Sequence, residues 1–451
     1  MPRWGSLAAA AALITISACG GRKEPRYGPV PVYTPPPPRP APAPPPPPSA
    51  PATDDRDFSA SAAPAVKVGL VVDAPNGMIS SPSGLTVETE AGENIDELQQ
   101  GRSVAFTQEA DGSITMSVVG ADGSRAGRTR YGLRPPVVVR AADGGVVEIR
   151  GTAYRGAILV QRAGRSGSGL TFVNRLDIES YLLGVVPRET GNVDAAAYEM
   201  VKAQAVAART YAVKHLGSRA ALGFDVYPGT QDQVYGGVAA ERESTSRAVR
   251  ETAGEIATYG GQPIEAYYHS TCAGRTAAAD EVWNMRPVPY LVSVEDEDGS
   301  GRAYDRASSR FTWTERWTHS QLVTVLNRTL ADSLRGRRIR AIEDIDVRSR
   351  TQSGRVRAMR IETDAGTFTV GRDRVRWILA PARGGILNSS KFDVRLERSG
   401  GEVSAIVAEG GGWGHGVGMC QVGAMGRARA GHDYRAIIQA YYPGVRIERM
   451  Y

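Results

Sequence analysis

The chain has 451 residues, 41% of them hydrophobic, 23% charged and 7% aromatic, with 52 Gly and 28 Pro. That balance excludes a coiled coil, a collagen-like fibre and a wholly disordered chain. Its 54 basic and 48 acidic residues leave a net charge of +6, which suits an acidic polymer or a membrane surface. The basic residues are spread out and no element interleaves them with aromatics, so no nucleic-acid partner is expected; the bland alternative is a mildly basic solvated surface.

At the N-terminus Arg3 precedes an apolar run over 7–18, the length of a signal-peptide core and too short to span a bilayer. The run ends Ile16-Ser17-Ala18-Cys19-Gly20, which resembles a bacterial lipobox, with Cys19 the lipidated first residue of the mature chain. The alternative is a plain secretory signal cleaved near an alanine. With Gly20 after the cysteine, the resemblance implies a periplasmic, lipid-anchored protein at an outer membrane. Residues 20–65 are Pro-rich and read as a polyproline II tether able to reach about 140 Å, with a Pro-rich recognition ligand as the competing reading.

The folded part is expected to be α+β: a β-rich chain with a helix-containing core and an inserted accessory β/α region. Residues 66–175 carry short strands such as Thr115-Met116-Ser117-Val118-Val119, separated by Asp-Gly turns. Helices enter over 176–298. The stretch 299–409 is accessory, with a helix near 320–330 and strands around Ile345, Met359 and Phe368, and 410–451 returns to the core.

Three segments carry unusual residue combinations. In Tyr181-Leu182-Leu183-Gly184-Val185-Val186-Pro187-Arg188-Glu189-Thr190, Glu189 is expected after a proline-fixed turn and directly before a helix; alone, it reads as a solvated loop acid. Asp194 is the expected N-cap of a helix over 195–216 with Tyr198, Val201, Ala205, Ala208 and Ala212 along one stripe. Gln204 flanks that stripe, and Arg209 and Tyr211 lie further round. The second segment, Gln231-Asp232-Gln233-Val234-Tyr235-Gly236, leads to a helix over 239–253. A hairpin closed by Gly260-Gly261 then delivers Tyr268-His269-Ser270-Thr271-Cys272. The third, Gly412-Trp413-Gly414-His415-Gly416-Val417-Gly418-Met419-Cys420-Gln421, lets backbone run close to a neighbour and offers Trp413 as an aromatic platform and His415 as a titratable group. A tightly packed structural loop would account for it equally well. Dinucleotide, P-loop, H-E-x-x-H and G-x-S-x-G signatures are all missing.

In content and order these segments are similar to the SpoIID/LytB family (stage II sporulation protein D). The resemblance is close over 176–294 and 410–451 and loose over 66–173. It implies a peptidoglycan lytic transglycosylase acting on glycan strands stripped of stem peptides, with Glu189 as its acid and base. Gln204, Arg209, Tyr211, Asp232, Tyr235, Tyr268, Trp413 and His415 are then expected to bind substrate, with Asp232 the nearest second carboxylate. No cofactor is required. With Cys19 lipidated, Cys272 and Cys420 remain in an oxidising compartment; a disulfide is preferred over a structural zinc held with His269. One departure is the lack of an aromatic in Thr190-Gly191-Asn192-Val193. The rival reading is a non-catalytic peptidoglycan-binding protein that modulates a cell-wall amidase. A zinc hydrolase is disfavoured because the five histidines are dispersed.

Overall fold

The computed structural model describes residues 63–164 and 168–451; the Cys19 motif and the Pro-rich stretch lie outside them. Alternating apolar residues first build two six-stranded sheets that share one core. One sheet runs in the order Ala65–Ala74, Leu170–Asp177, Ala157–Arg162, Val137–Ala141, Leu85–Thr89, Asn94–Leu98. The period of two decides where each side chain goes: from Ala157–Arg162, Ile158 and Val160 enter the core between the sheets, while Ala157 and Leu159 point the other way onto Phe224.

The helical core follows without a break. Asp177 ends its strand and caps the next helix, Ile178–Thr190, by accepting from the Ser180 amide. Ile178, Tyr181, Leu182, Val185 and Val186 repeat at spacings of three and four, and all are buried. That stripe carries the helix through Pro187 to Gly191, whose N–H closes it on the Pro187 carbonyl. Glu189 therefore sits in the last turn of a helix, not in a loop before one, because the apolar stripe outweighs the one hydrogen bond that a proline removes.

The second helix occupies Tyr198–Lys214, after a 3-10 turn at Ala195–Ala197 capped by Asp194. It is buried nearly all round: Met200, Ala203, Val206 and Ala207 face one core, and Val201, Ala205, Ala208 and Ala212 face another. The expected helix over 239–253 shortens to Glu243–Glu251, with a separate 3-10 turn at Val238–Ala240. The hairpin Glu255–Tyr259 and Gln262–Pro263 turns through Gly260 and Gly261, whose φ values of 59° and 76° suit a two-residue loop. Arg446–Arg449 pairs antiparallel with Glu255–Tyr259, and Met419–Cys420 runs parallel to Tyr268–His269, so the end of the chain is stitched into its middle.

Between these pieces, two three-stranded sheets and the helix His319–Thr329 enclose a core of their own around the fully buried Trp317. The strands are Trp313–Thr318, Glu402–Gly410 and Phe392–Ser399 in one sheet and Ile342–Arg350, Val356–Thr363 and Gly366–Val370 in the other.

The closing helices Gln421–Arg429 and Tyr434–Tyr441 are pinned by Asp296. Its buried carboxylate accepts from the Tyr441 hydroxyl at 2.8 and 2.9 Å and from Arg427 Nε at 3.0 Å. Gly423 leaves the room for this cluster, since a Cβ there would lie 1.8 Å from Asp296 Oδ2. Gly423→Ala should therefore destabilise the fold by about 2 kcal/mol or more, read as a lowered urea midpoint with an unchanged slope.

Candidate active site

The end of the helix Ile178–Thr190 presents Glu189 to three segments far apart in sequence. The Val234 amide donates to Glu189 Oε1 at 2.8 Å, and the side chains of Tyr268 and Gln421 also hydrogen-bond the carboxylate. Gln421 Nε2 donates in addition to the Glu189 carbonyl and to Gln204 Oε1, both at 3.2 Å. Behind Tyr268 stands Gln233, fully buried. Its Nε2 donates to the Tyr268 hydroxyl at 3.1 Å and to the Ala208 carbonyl at 3.2 Å, and its Oε1 accepts from Tyr181 at 3.2 Å. Filling the Tyr268 lone pair from behind turns its own O–H toward Glu189, so the three residues form a directed relay.

Burial raises the Glu189 carboxyl above its ordinary value and outweighs the opposing pull of the Val234 amide, Tyr268, Gln421 and Arg188. The side chain keeps partial exposure. Such a group holds a proton to a higher pH than a solvated acid while remaining reachable.

Other expected site residues turn out to support the fold. Arg209 is wholly buried and binds Glu179 through two N–H groups at 2.8 Å each, as well as the carbonyls of Glu255 and Val249. Glu179 lies at the opposite end of the helix from Glu189, ten residues or about 15 Å away, so Arg209 serves the scaffold and does not line the groove. Asp232 is spent as well: it accepts from the Tyr211 hydroxyl at 2.9 Å, Arg219 at 2.9 Å and the Tyr227 amide at 2.8 Å, with its side chain 1% exposed. It is no second catalytic carboxylate, and Tyr211, stacked on His215, belongs to the same structural knot. Tyr235 is buried and donates to Asn174 Oδ1 at 2.9 Å. Gln204 is buried too and reaches the site only by accepting from Gln421.

The glycine segment contributes differently. Trp413 is half exposed, with the Arg310 guanidinium over its ring. His415 packs among the rings of Tyr267, Trp283 and His269, and burial pushes it down to about 4, so it is neutral at physiological pH. Its Nδ1 accepts from the Val417 amide at 3.1 Å, and its hydrogen bond to the Tyr268 backbone steadies the strand that aims Tyr268. Gly416, at φ 88°, lies against the Arg355 guanidinium, whose Nη2 would sit 2.0 Å from any Cβ.

His269, Cys272 and Cys420 come together, their ligand atoms all within 4.8 Å of one another. Both cysteines are buried free thiols, so the disulfide favoured from sequence is not formed. The Cys420 sulfur instead accepts from the amides of Cys272 and Gly423, both at 3.3 Å. His269 Nδ1 lies 3.2 Å from the Val417 carbonyl, and its buried Nε2 has no hydrogen-bond partner. One imidazole nitrogen held by a carbonyl and the other left as a bare lone pair beside two thiols is the donor set that zinc takes. Among the described residues, Cys272, Asp296 and Asp305 form the other such cluster, but Asp296 is occupied by Arg427 and Tyr441, and Asp305 accepts three amides, from Cys272, Ala273 and Gly274.

Gln233 and Gln421 are the functional residues that sequence reasoning passed over. Each lies inside a motif segment, but an amide carries no titratable signature. The one available signal was that two polar side chains adjoin runs otherwise destined for burial.

Comparison with known proteins matches residues 166–259 to a family model described as Stage II sporulation protein, and residues 300–418 to a domain of unknown function (DUF8618). The chain is 30% identical over 292 residues to Stage II sporulation protein D of Bacillus subtilis, covering 61% of this chain and 75% of that protein. It is 30% identical over 291 residues to the amidase enhancer of the same organism, spanning 58% of this chain but 39% of that protein. An uncharacterised protein of Brachyspira hyodysenteriae is 36% identical over 276 residues, 61% of this chain and 67% of that one.

The raised carboxyl sets a sign for stability. Glu189 titrates higher in the folded chain than when unfolded, so its ionisation opposes folding above the folded pKa and the effect disappears below the ordinary carboxylate value. Glu189→Gln is therefore expected to melt at a higher temperature than the wild type at pH 8, with the gap closing near about pH 4. Equal melting temperatures at both pH values would contradict the held proton.

Proposed function

The chain belongs to the stage II sporulation protein D family and has a cell-wall function, and on that premise we propose that it is a lytic transglycosylase of peptidoglycan glycan strands. The observation that carries this reading is a single carboxyl, Glu189, raised by burial and cradled by Val234, Tyr268 and Gln421, while the other candidate acid, Asp232, is spent on structural bonds.

One carboxyl suffices for this reaction. Protonated Glu189 donates to the glycosidic oxygen as the bond to the anomeric carbon breaks, and the leaving sugar departs with that proton. The resulting carboxylate then takes the proton of the C6 hydroxyl of the sugar that holds the anomeric carbon as that hydroxyl's oxygen bonds the carbon, which yields a 1,6-anhydro end and restores the acid. Because that hydroxyl stands where water would attack, the paired carboxylates of ordinary glycosidases are not needed. Tyr268, oriented by Gln233 and by the His415 contact, stabilises the carboxylate stage through its hydrogen bond.

A second reading follows from the relative named amidase enhancer: the chain binds peptidoglycan and modulates a cell-wall amidase without cutting. The proposal extends to location, with Cys19 lipidated, residues 20–65 as tether and the folded part in the periplasm. It also includes a structural zinc on His269 Nε2, Cys272 Sγ and Cys420 Sγ, which would tie the Tyr268 strand to the start of the Gln421–Arg429 helix.

Incubation with amidase-stripped peptidoglycan should release anhydro-ended fragments identifiable by mass spectrometry, and Glu189→Gln should lower the rate by about 10³-fold. Sedimentation with the wall but no fragments from either protein would favour the amidase-modulating role.

Purified protein should carry about one zinc per chain. Chelation and Cys272→Ser should each lower its melting temperature. Metal-free protein with a Cys272–Cys420 bond in a non-reducing peptide map would replace zinc with the disulfide.

A further inference from the structure

Two residues beyond Glu189, Gly191 opens onto a cavity of about 540 Å³ between the end of that helix and the helix Glu243–Glu251. Its volume is that of a small-ligand site. Its lining includes Asn192, Val193, Tyr198, Val201, Arg242 and Arg247. None of these is required by the acid–base chemistry.

The chemistry of the wall is specific. Tyr198 offers a partly exposed ring, with Val193 and Val201 beside it as apolar surface. The Arg247 guanidinium lies 4.4 Å over that ring and is anchored by its Nε donating to the Tyr198 hydroxyl at 2.9 Å. The Lys202 ammonium lies 5.2 Å from the same ring, so this wall presents fixed cations and suits a ligand carrying a negative group. The acids around the rim are already matched: Glu243 pairs with Arg250, Asp194 with Arg429, and Glu251 with Lys202 and Arg247. Arg242 differs from them. It binds the neutral Asn192 amide oxygen, and among the described residues no carboxylate pairs with it. A guanidinium whose fork remains available is the usual partner of a carboxylate.

We propose that this cavity is a glycan subsite in which Arg242, with Arg247 beside it, binds the free lactyl carboxylate of a muramic acid residue. The inference rests on the glycan-strand reading above and deepens it. In an intact strand the lactyl group is an amide that continues into a stem peptide. It is then uncharged and bulky, and it does not satisfy the guanidinium. Removal of the peptide exposes the charge. Preference for stripped strands thereby acquires a physical origin at named residues, separate from the acid that cuts.

The test uses the full chain carrying Glu189→Gln, which binds without cutting, and three probes: amidase-stripped glycan strands, the same strands with their carboxylates converted to methylamides, and a chitin hexamer. Calorimetry should give affinity for the stripped strands at least about 10-fold above that for the amidated ones, with the difference shrinking as salt rises. Adding Arg242→Gln should erase the difference and leave chitin affinity unchanged, and Arg242→Lys should restore part of it. Because Arg242 is exposed, its melting temperature should not move. Equal affinity for stripped and amidated strands, or a preference that survives Arg242→Gln, would overturn the subsite while leaving the glycan reading intact. Failure to bind any of the three probes would overturn both.

Discussion

The helix Tyr198–Lys214 has apolar cores on both sides, and this constraint governs the molecule. A helix buried nearly all round spends few residues on solvent, and most side chains on it have to fit something. Alanine at 203, 205, 207, 208 and 212 lets the neighbouring helices and the hairpin approach its backbone closely. Three of its buried polar residues reach neighbouring segments: Arg209 bonds Glu179, Gln204 Oε1 accepts from Gln421, and Thr210 accepts from the Ala257 amide. Those bonds fix the first helix, the glycine segment and the hairpin relative to one another. Glu189, Gln421 and Tyr268 meet as a result.

The electrostatics at Glu189 are a contest in which magnitude decides. Four groups favour the ionised carboxylate, yet desolvation exceeds their sum. Removing water from a carboxyl acts on the whole charge, whereas each donor recovers only a fraction of it. The neutral state of His415 follows from the same rule with the opposite sign, since burial there disfavours the cation. A neutral imidazole among three aromatic rings is a rigid wedge, and it acts on the acid only through the strand between them.

Much of this was legible in the sequence because it depends on local pattern. The two-residue Gly260-Gly261 turn and the Asp194 cap are local signals and stand in the structure. What failed depended on partners far away. Pro187 read as a turn because the strength of the apolar stripe around it depends on what that stripe packs against. Asp232, Arg209 and Tyr235 read as site residues because charged and aromatic side chains in a motif can serve chemistry or scaffold equally well. Only the positions of Arg219, Glu179 and Asn174 decide between the two. Gln233 stayed hidden beside Asp232 for the complementary reason, since its role is to orient a hydroxyl contributed from 35 positions away.

The bond from Gln421 to the Glu189 carbonyl spans 232 positions of chain, and the last strand pairs with the hairpin that delivers Tyr268. Contacts of such sequence separation form late, because the intervening loop must close before they contribute anything. A chain emerging from the ribosome can complete its β sandwich and its first two helices long before the acid has its final surroundings. The carboxyl thus gains its full set of partners only after position 421 has been made. Nascent molecules that have not reached Gln421 carry the residue without its final surroundings.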